Sequence, residues 1–377
     1  MKKNINMLII VCIILFLYPA AVFAGPELNA KAAILIDAET GRVLFEKNSQ
    51  ERLPIASTTK ITTALITLER EKNLQKRVTV PADFINPGEA GIWLEPGERH
   101  TLEDLLYALL LRSANDAASV IATAVGGSEA GFVQLMNDKV RELGLKDTHY
   151  VNPHGLHDDN HYSSAYDLAM ITREALTYKE FRKMIITDRH ILPWPGHEYS
   201  RVVHNRNELL DTFDGADGVK TGYTRQAGSC LVGSATRDGM QLVAIVLHSN
   251  GMYDETAKLL EYGFENYEAQ QLFSKGKVFG KIPVEFGEKS EVRVVAARGI
   301  STTVQKAERD KVEQRINLPE KLQAPIEKGQ NLGTVTVKVG TDTFLRADLI
   351  ADESVKQSSF LASLWYTIIN VFQFFLS

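Results

Sequence analysis

The stretch Ile55-Ala56-Ser57-Thr58-Thr59-Lys60, running into the apolar segment Ile61 to Leu68, decides how the rest of the chain is read. As a helix it sets Ser57 at the N-terminus and Lys60 one turn on, and residues three apart share a face. The amine then sits beside the hydroxyl. A serine is a poor nucleophile until a base takes its proton. A lysine serves as that base only if burial or a nearby cation lowers its pKa. The positive end of the helix favours the developing alkoxide. Ser57 and Lys60 are therefore candidates for an acyl-transfer centre that needs no histidine. A bare Ser-x-x-Lys match is a weak signal, because composition alone yields roughly one in a chain of this length. The alternative is a helix that starts with Ser and carries an exposed Lys. Other segments must supply a second cation and an oxyanion hole.

Two later segments match that need. Thr101-Leu102-Glu103-Asp104 has the form of a capping box and opens a helix running to Leu111. The helix ends at Ser113-Ala114-Asn115, and Ala117 to Val125 is helical again. Farther on, Lys220-Thr221-Gly222 precedes two strand-like runs, Cys230 to Ala235 and Leu242 to His248, joined by a turn at Arg237-Asp238-Gly239. Lys-Thr-Gly is the most specific of the three elements, expected by chance in roughly one chain in ten. Without the other two, helix capping would be the preferred reading of Ser113 and Asn115. Ser-x-x-Lys with Lys-Thr-Gly is the pairing found in penicillin-binding proteins and class A β-lactamases.

On these residues, with Asn152-Pro153-His154-Gly155-Leu156 and the run Lys220 to Gly228, the chain resembles the D-alanyl-D-alanine carboxypeptidases over nearly its whole length. These are low-molecular-mass penicillin-binding proteins. The resemblance implies an α/β (α+β) catalytic domain of penicillin-binding/β-lactamase-like fold, with a central antiparallel sheet flanked by helices. It implies a serine hydrolase that removes the terminal D-Ala from peptidoglycan stem pentapeptides through an acyl-enzyme on Ser57, and that binds β-lactam antibiotics. Lys60 would be the base, and Lys220, on an edge strand, the cation that lowers its pKa. Ser113 would hydrogen-bond between the lysines and relay the proton to the leaving amine, and Asn115 would orient Lys60 and a substrate amide. Thr221 would hold the substrate's terminal carboxylate, and Gly222 would let the substrate backbone approach. The N–H groups of Ser57 and Tyr223 would form the oxyanion hole. Arg206, in His204-Asn205-Arg206-Asn207, matches a family arginine near the carboxylate; the alternative is a surface arginine. No cofactor or metal is implied. The chain departs from relatives in having Ser-Ala-Asn for Ser-Asp-Asn, Tyr223 where some carboxypeptidases have histidine, and no arginine in Ser249-Asn250-Gly251.

The chain has 377 residues, 44% hydrophobic and 24% charged, an ordinary composition that suggests two domains. Its net charge is −5, with no basic stripe, which gives no support to a nucleic-acid partner. Lys2-Lys3, the apolar run Met7 to Leu17 and Val22-Phe23-Ala24 read as a secretory signal cleaved after Ala24, the alternative being an uncleaved anchor. Of the two cysteines, Cys12 leaves with the leader. Cys230 cannot then form an internal disulfide and reads as a small buried apolar residue.

The expected organisation is a signal peptide over 1–24, a catalytic domain over 25–270, a small all-β domain over 271–353 and an amphipathic membrane-anchor helix over 354–377. Lys31 to Asp37 and Arg42 to Phe45 flank the turn Glu39-Thr40-Gly41 as a hairpin, and the N- and C-terminal strands of the catalytic domain should pair. Residues 78 to 99 read as loop and short strand, with Trp93 a packing residue. Ser128 to Leu143, Ser164 to Leu176 and Asp254 to Tyr267 read as helices. From Val278 to Leu349 β-branched residues and Gly/Pro punctuation replace helical periodicity. In the tail, Ser359, Ser363, Tyr366, Asn370 and Gln373 draw one polar stripe on an otherwise apolar helix, which suits a membrane interface; the alternative is packing on the protein itself.

His154, His157 and His161 raise a zinc reading, but no His-Glu-x-x-His or cysteine pair accompanies them. No Gly-x-Ser-x-Gly elbow is present. The nearest rivals are a β-lactamase, distinguished by rapid penicillin turnover, and a D,D-endopeptidase, distinguished on cross-linked dimers. A non-catalytic cell-wall binding or penicillin-sensing protein is the rival from another class, and the intact Lys60 and Lys220 speak against it.

Overall fold

A computed structural model describes residues 25–306, 312–339 and 343–358. The expected leader and the striped tail from Ser359 lie outside them. Among the described residues no helix is long and apolar enough to cross a membrane.

Strands β1 (Ala32–Asp37) and β2 (Val43–Lys47) form the expected hairpin. Gly41 at its turn has φ +77, a conformation glycine adopts freely. A 3-10 turn over Ala56–Thr59 leads into α1 (Lys60–Arg70). The short strands β3 (Arg77–Thr79) and β4 (Arg99–Thr101) pair around the long loop between them. Thr101 caps α2 (Leu102–Tyr107), its hydroxyl accepting the Asp104 N–H at 3.0 Å. A π-turn over Ala108–Arg112 follows. Then come α3 (Asn115–Gly126), α4 (Glu129–Glu142), α5 (Ala165–Ala175) and α6 (Lys179–Ile185). The hairpin β5 (Arg189–Leu192) and β6 (Arg201–His204) precedes the short α7 (Leu209–Thr212). Strands β7 (Ala216–Thr224), β8 (Gly228–Arg237) and β9 (Met240–Ser249) lead to α8 (Met252–Asn266).

The main sheet runs β2-β1-β9-β8-β7 with every neighbour antiparallel, so the first strand does pair with the last. All six residues of β1 are buried because helices cover both faces. Its side chains alternate: Ala32, Ile34 and Ile36 join the large core around α1, α2, α3 and α5, whereas Ala33 and Leu35 join a second core under α8. Cys230 lies in the first core, fully buried, and burial raises its thiol to about 11. Strand β7 is left at the sheet's edge.

Beyond α8 the chain is all β. The strands are β10 (Tyr267–Phe273), β11 (Val278–Glu285), β12 (Glu291–Ala296), β13 (Ile300–Gln305), β14 (Val312–Asn317), β15 (Leu322–Gln323), β16 (Asn331–Val339) and β17 (Thr343–Ala351). They have a core of their own. Residues 354 to 358, expected in the tail helix, instead continue this β unit: Val355 is buried and pairs with Ile326, and Gln357 pairs with Gly287. The seam to the catalytic half is partly apolar, with Tyr267 packed into the core under α8, and partly polar. Asp37 accepts from the Thr303 N–H at 3.0 Å and from the Thr303 hydroxyl, and Arg42 donates to the Thr303 carbonyl.

Candidate active site

Ser57 sits in the 3-10 turn, and Lys60 opens α1. The turn is held from below. Ala56 has φ +47, a strained value for a residue with a side chain. Its carbonyl accepts the Thr59 hydroxyl at 2.8 Å. That hydroxyl has given its proton away, so the His161 Nε2, 2.8 Å off, must donate to it. The His161 Nδ1 then accepts the Val151 N–H at 3.2 Å. Burial keeps His161 neutral, its pKa pushed down to about 4. Gly155, at φ +87, closes the platform; a Cβ there would lie 1.9 Å from the Ala56 oxygen.

The Lys60 side chain is wholly buried. Its Nζ lies 2.9 Å from Ser57 Oγ, 2.7 Å from Asn115 Oδ1 and 2.6 Å from the His154 carbonyl oxygen. Burial first, and the Lys220 ammonium second, hold this amine well below the ordinary lysine range, while Asp116 and Glu89 pull the other way. A neutral amine has two N–H bonds and one lone pair. Asn115 Oδ1 and the His154 carbonyl can only accept, so they take both hydrogens. The lone pair is left for the Ser57 hydroxyl proton.

The π-turn delivers the next two residues. Ser113 ends it at φ +66 and is buried; its hydroxyl holds no hydrogen bond with either lysine, so the expected bridge is not formed here. Asn115 is the first residue of α3, and its Nδ2 donates to the Gly88 carbonyl at 2.9 Å.

Strand β7 brings in the third element. Lys220 is buried, donates to the Thr221 carbonyl at 2.9 Å, and is pushed down to about 7 by burial and by the Arg206 guanidinium. Gly222 lies against the nucleophile turn, where a Cβ would meet the Ser57 nitrogen at 3.0 Å. A cleft of about 540 Å³ opens above, with Ser57, Ser113, Asn115, Thr221, Gly222 and Tyr223 in its walls. Arg206 lines it too, so this arginine is not an isolated surface group.

Several residues in the cleft went unnoticed in the sequence. Tyr253, on the first turn of α8, donates to the Arg206 carbonyl at 3.0 Å. Glu89, Asn205, Asn207, Glu208 and Asp211 complete the polar wall. His154 contributes a backbone carbonyl, which no side-chain pattern announces. The histidines of the zinc reading serve separate partners: His154 Nδ1 accepts the Leu156 N–H at 3.2 Å, His157 lies 3.3 Å from Asp159, and His161 braces Thr59. Trp93 is not a packing residue. It is 63% exposed, at φ +57, with its neighbours Ile92 and Leu94 buried.

Residues 20–251 match the family model described as D-alanyl-D-alanine carboxypeptidase, and residues 267–357 match the C-terminal domain of penicillin-binding protein 5. The chain is similar to the D-alanyl-D-alanine carboxypeptidase DacF of Bacillus subtilis, at 34% identity over 98% of each chain. It is 32% identical to DacC of Escherichia coli, over 93% of this chain and 92% of the relative. Among solved structures, penicillin binding protein 5 of Haemophilus influenzae superposes with a TM-score of 0.74 at 31% identity, covering 89% of this chain and 99% of that one.

Proposed function

The chain belongs to the D-alanyl-D-alanine carboxypeptidase family of serine peptidases, and from that premise we propose how its cleft works. The substrate is a peptidoglycan stem pentapeptide ending in D-Ala-D-Ala, laid along the free edge of β7. Neutral Lys60 takes the Ser57 proton as Oγ attacks the carbonyl between the two D-alanines. The backbone N–H groups of Ser57 and Tyr223 receive the oxyanion. The proton passes from Lys60 to the nitrogen of the departing D-Ala, and Ser113, in the cleft wall, relays it once its hydroxyl rotates toward Lys60. Water then attacks the Ser57 ester, and Lys60 takes its proton in turn, so the acyl group leaves as a carboxylate and Ser57 is restored. Thr221, Arg206 and Lys220 hold the terminal carboxylate, and Asn115 and Gly222 seat the backbone.

The observation that carries this reading is the Lys60 amine: buried, 2.9 Å from Ser57 Oγ, and 2.7 and 2.6 Å from two oxygens that can only accept. A β-lactam presents a strained amide in place of the D-Ala-D-Ala bond and should acylate Ser57. Free D-Ala should be released from the pentapeptide and suppressed by penicillin, and Ser57→Ala should abolish both release and covalent labelling. A Ser57→Ala protein that still takes up a reporter penicillin would refute the assignment.

The expected leader and tail complete the reading, placing the catalytic portion (25–270) and the β unit outside the cytoplasmic membrane with the amphipathic tail on its surface. A tail-deleted chain still recovered with membranes would remove the anchor.

A further inference from the structure

An exposed tryptophan is ordinary by itself. Trp93 differs in how it is held. The buried Asp116 carboxylate accepts the Ile92 N–H at 3.0 Å and the Leu94 N–H at 3.1 Å, gripping the backbone on both sides. The Trp93 carbonyl accepts from Arg201 Nη2 at 2.8 Å. That guanidinium is itself fixed by two 2.7 Å bonds to buried Glu98 and lies 4.4 Å from the centre of the Trp194 ring. A left-handed backbone at a residue with a side chain costs about 1–3 kcal/mol and persists only where the surroundings impose it. Here two buried charged groups impose it, and the result is a large aromatic ring presented to water.

The same loop lines the cleft through Glu89 and Ala90. Trp93 is three residues beyond Ala90, at most about 11 Å of extended backbone. A stem peptide runs four residues back from its scissile carbonyl to its sugar, about 14 Å when extended. Trp93 thus lies no farther from the cleft wall than the sugar lies from the scissile carbonyl. Pyranose rings present C–H faces that stack on an aromatic ring, and a rigid aromatic binds at little entropic cost.

We propose that Trp93 is a stacking platform for a sugar ring of the glycan strand that carries the stem peptide. The proposal rests on the carboxypeptidase reading and adds to it a saccharide subsite. The enzyme then distinguishes a stem peptide on its glycan from the same peptide free in solution.

The test compares D-Ala release by the full chain from a free pentapeptide and from the same pentapeptide attached to its disaccharide. The disaccharide should lower KM roughly two- to tenfold. Trp93→Gln should erase that gain and Trp93→Phe should keep most of it, both leaving kcat and KM on the free pentapeptide unchanged. A wild-type protein indifferent to the disaccharide, or a Trp93→Gln protein that keeps the gain, overturns the saccharide subsite. Rates that fall on the free pentapeptide in both variants make Trp93 a structural residue and overturn it too. No release from either substrate by the wild type sinks the carboxypeptidase reading, and the subsite with it.

Discussion

At the scale of single residues the protein is a set of arranged protonation states. Lys220 depresses the Lys60 pKa, so replacing it with glutamine should raise that pKa and move the acid limb of penicillin acylation to higher pH, on top of any loss in rate. An acid limb that stays in place would remove the electrostatic coupling. His154 and His161 are held neutral by burial, at about 3 and about 4. The unfolded chain binds those protons at about 6.5, so between there and the folded values it holds more protons than the fold does. Stability should therefore fall as pH drops from about 6.5 toward 4. His161→Gln should flatten that slope in denaturant titrations at several pH values; an unchanged slope would mean that His161 titrates elsewhere. Ser57, Lys60, Ser113, Asn115 and Lys220 were legible because their side chains form short patterns. The His154 carbonyl, the Tyr253 hydroxyl and the Asp116 carboxylate act through backbone atoms or at a distance along the chain, and leave no such pattern.

At the scale of elements, long apolar runs declared themselves. The hairpin of β1 and β2, the helices capped by Thr101 and Ser128, and the run of β8 and β9 all stand where periodicity and turn residues set them. The hairpin of β5 and β6 did not. Its strands have four residues each, too short to show a clear alternation, and Pro193, Pro195 and Gly196 interrupt the segment between them. Trp93 departs from the packing role expected of a large aromatic because the backbone on either side of it is held by a carboxylate distant in sequence. The most sensitive junction of elements is the one under the nucleophile turn. Gly155→Ala would drive a methyl into the Ala56 carbonyl at an unfavourable φ, at a cost on the order of 2 kcal/mol or more. Denaturant melts should show that loss, and penicillin acylation should slow as the turn shifts. Wild-type stability together with wild-type acylation would show that the platform does not set the Ser57 geometry.

At the scale of the molecule, the cleft is built from the catalytic half alone, and the β unit meets that half through Asp37, Arg42 and Thr303. Thr303→Val removes the hydroxyl donor to Asp37 and should cost about 1 kcal/mol of stability while leaving D-Ala release unchanged. A fall in kcat would show that the seam reaches the cleft. The sheet order has a further consequence in time. Strand β1 lies between β2 and β9, and Ala32 finds its partner Leu247 only about two hundred residues later. Pairings so remote along the chain form late. Synthesis must pass β9 before the sheet can close and gather Ser57, Lys60 and Lys220, so a nascent polypeptide that has not yet reached Ser249 carries no armed serine.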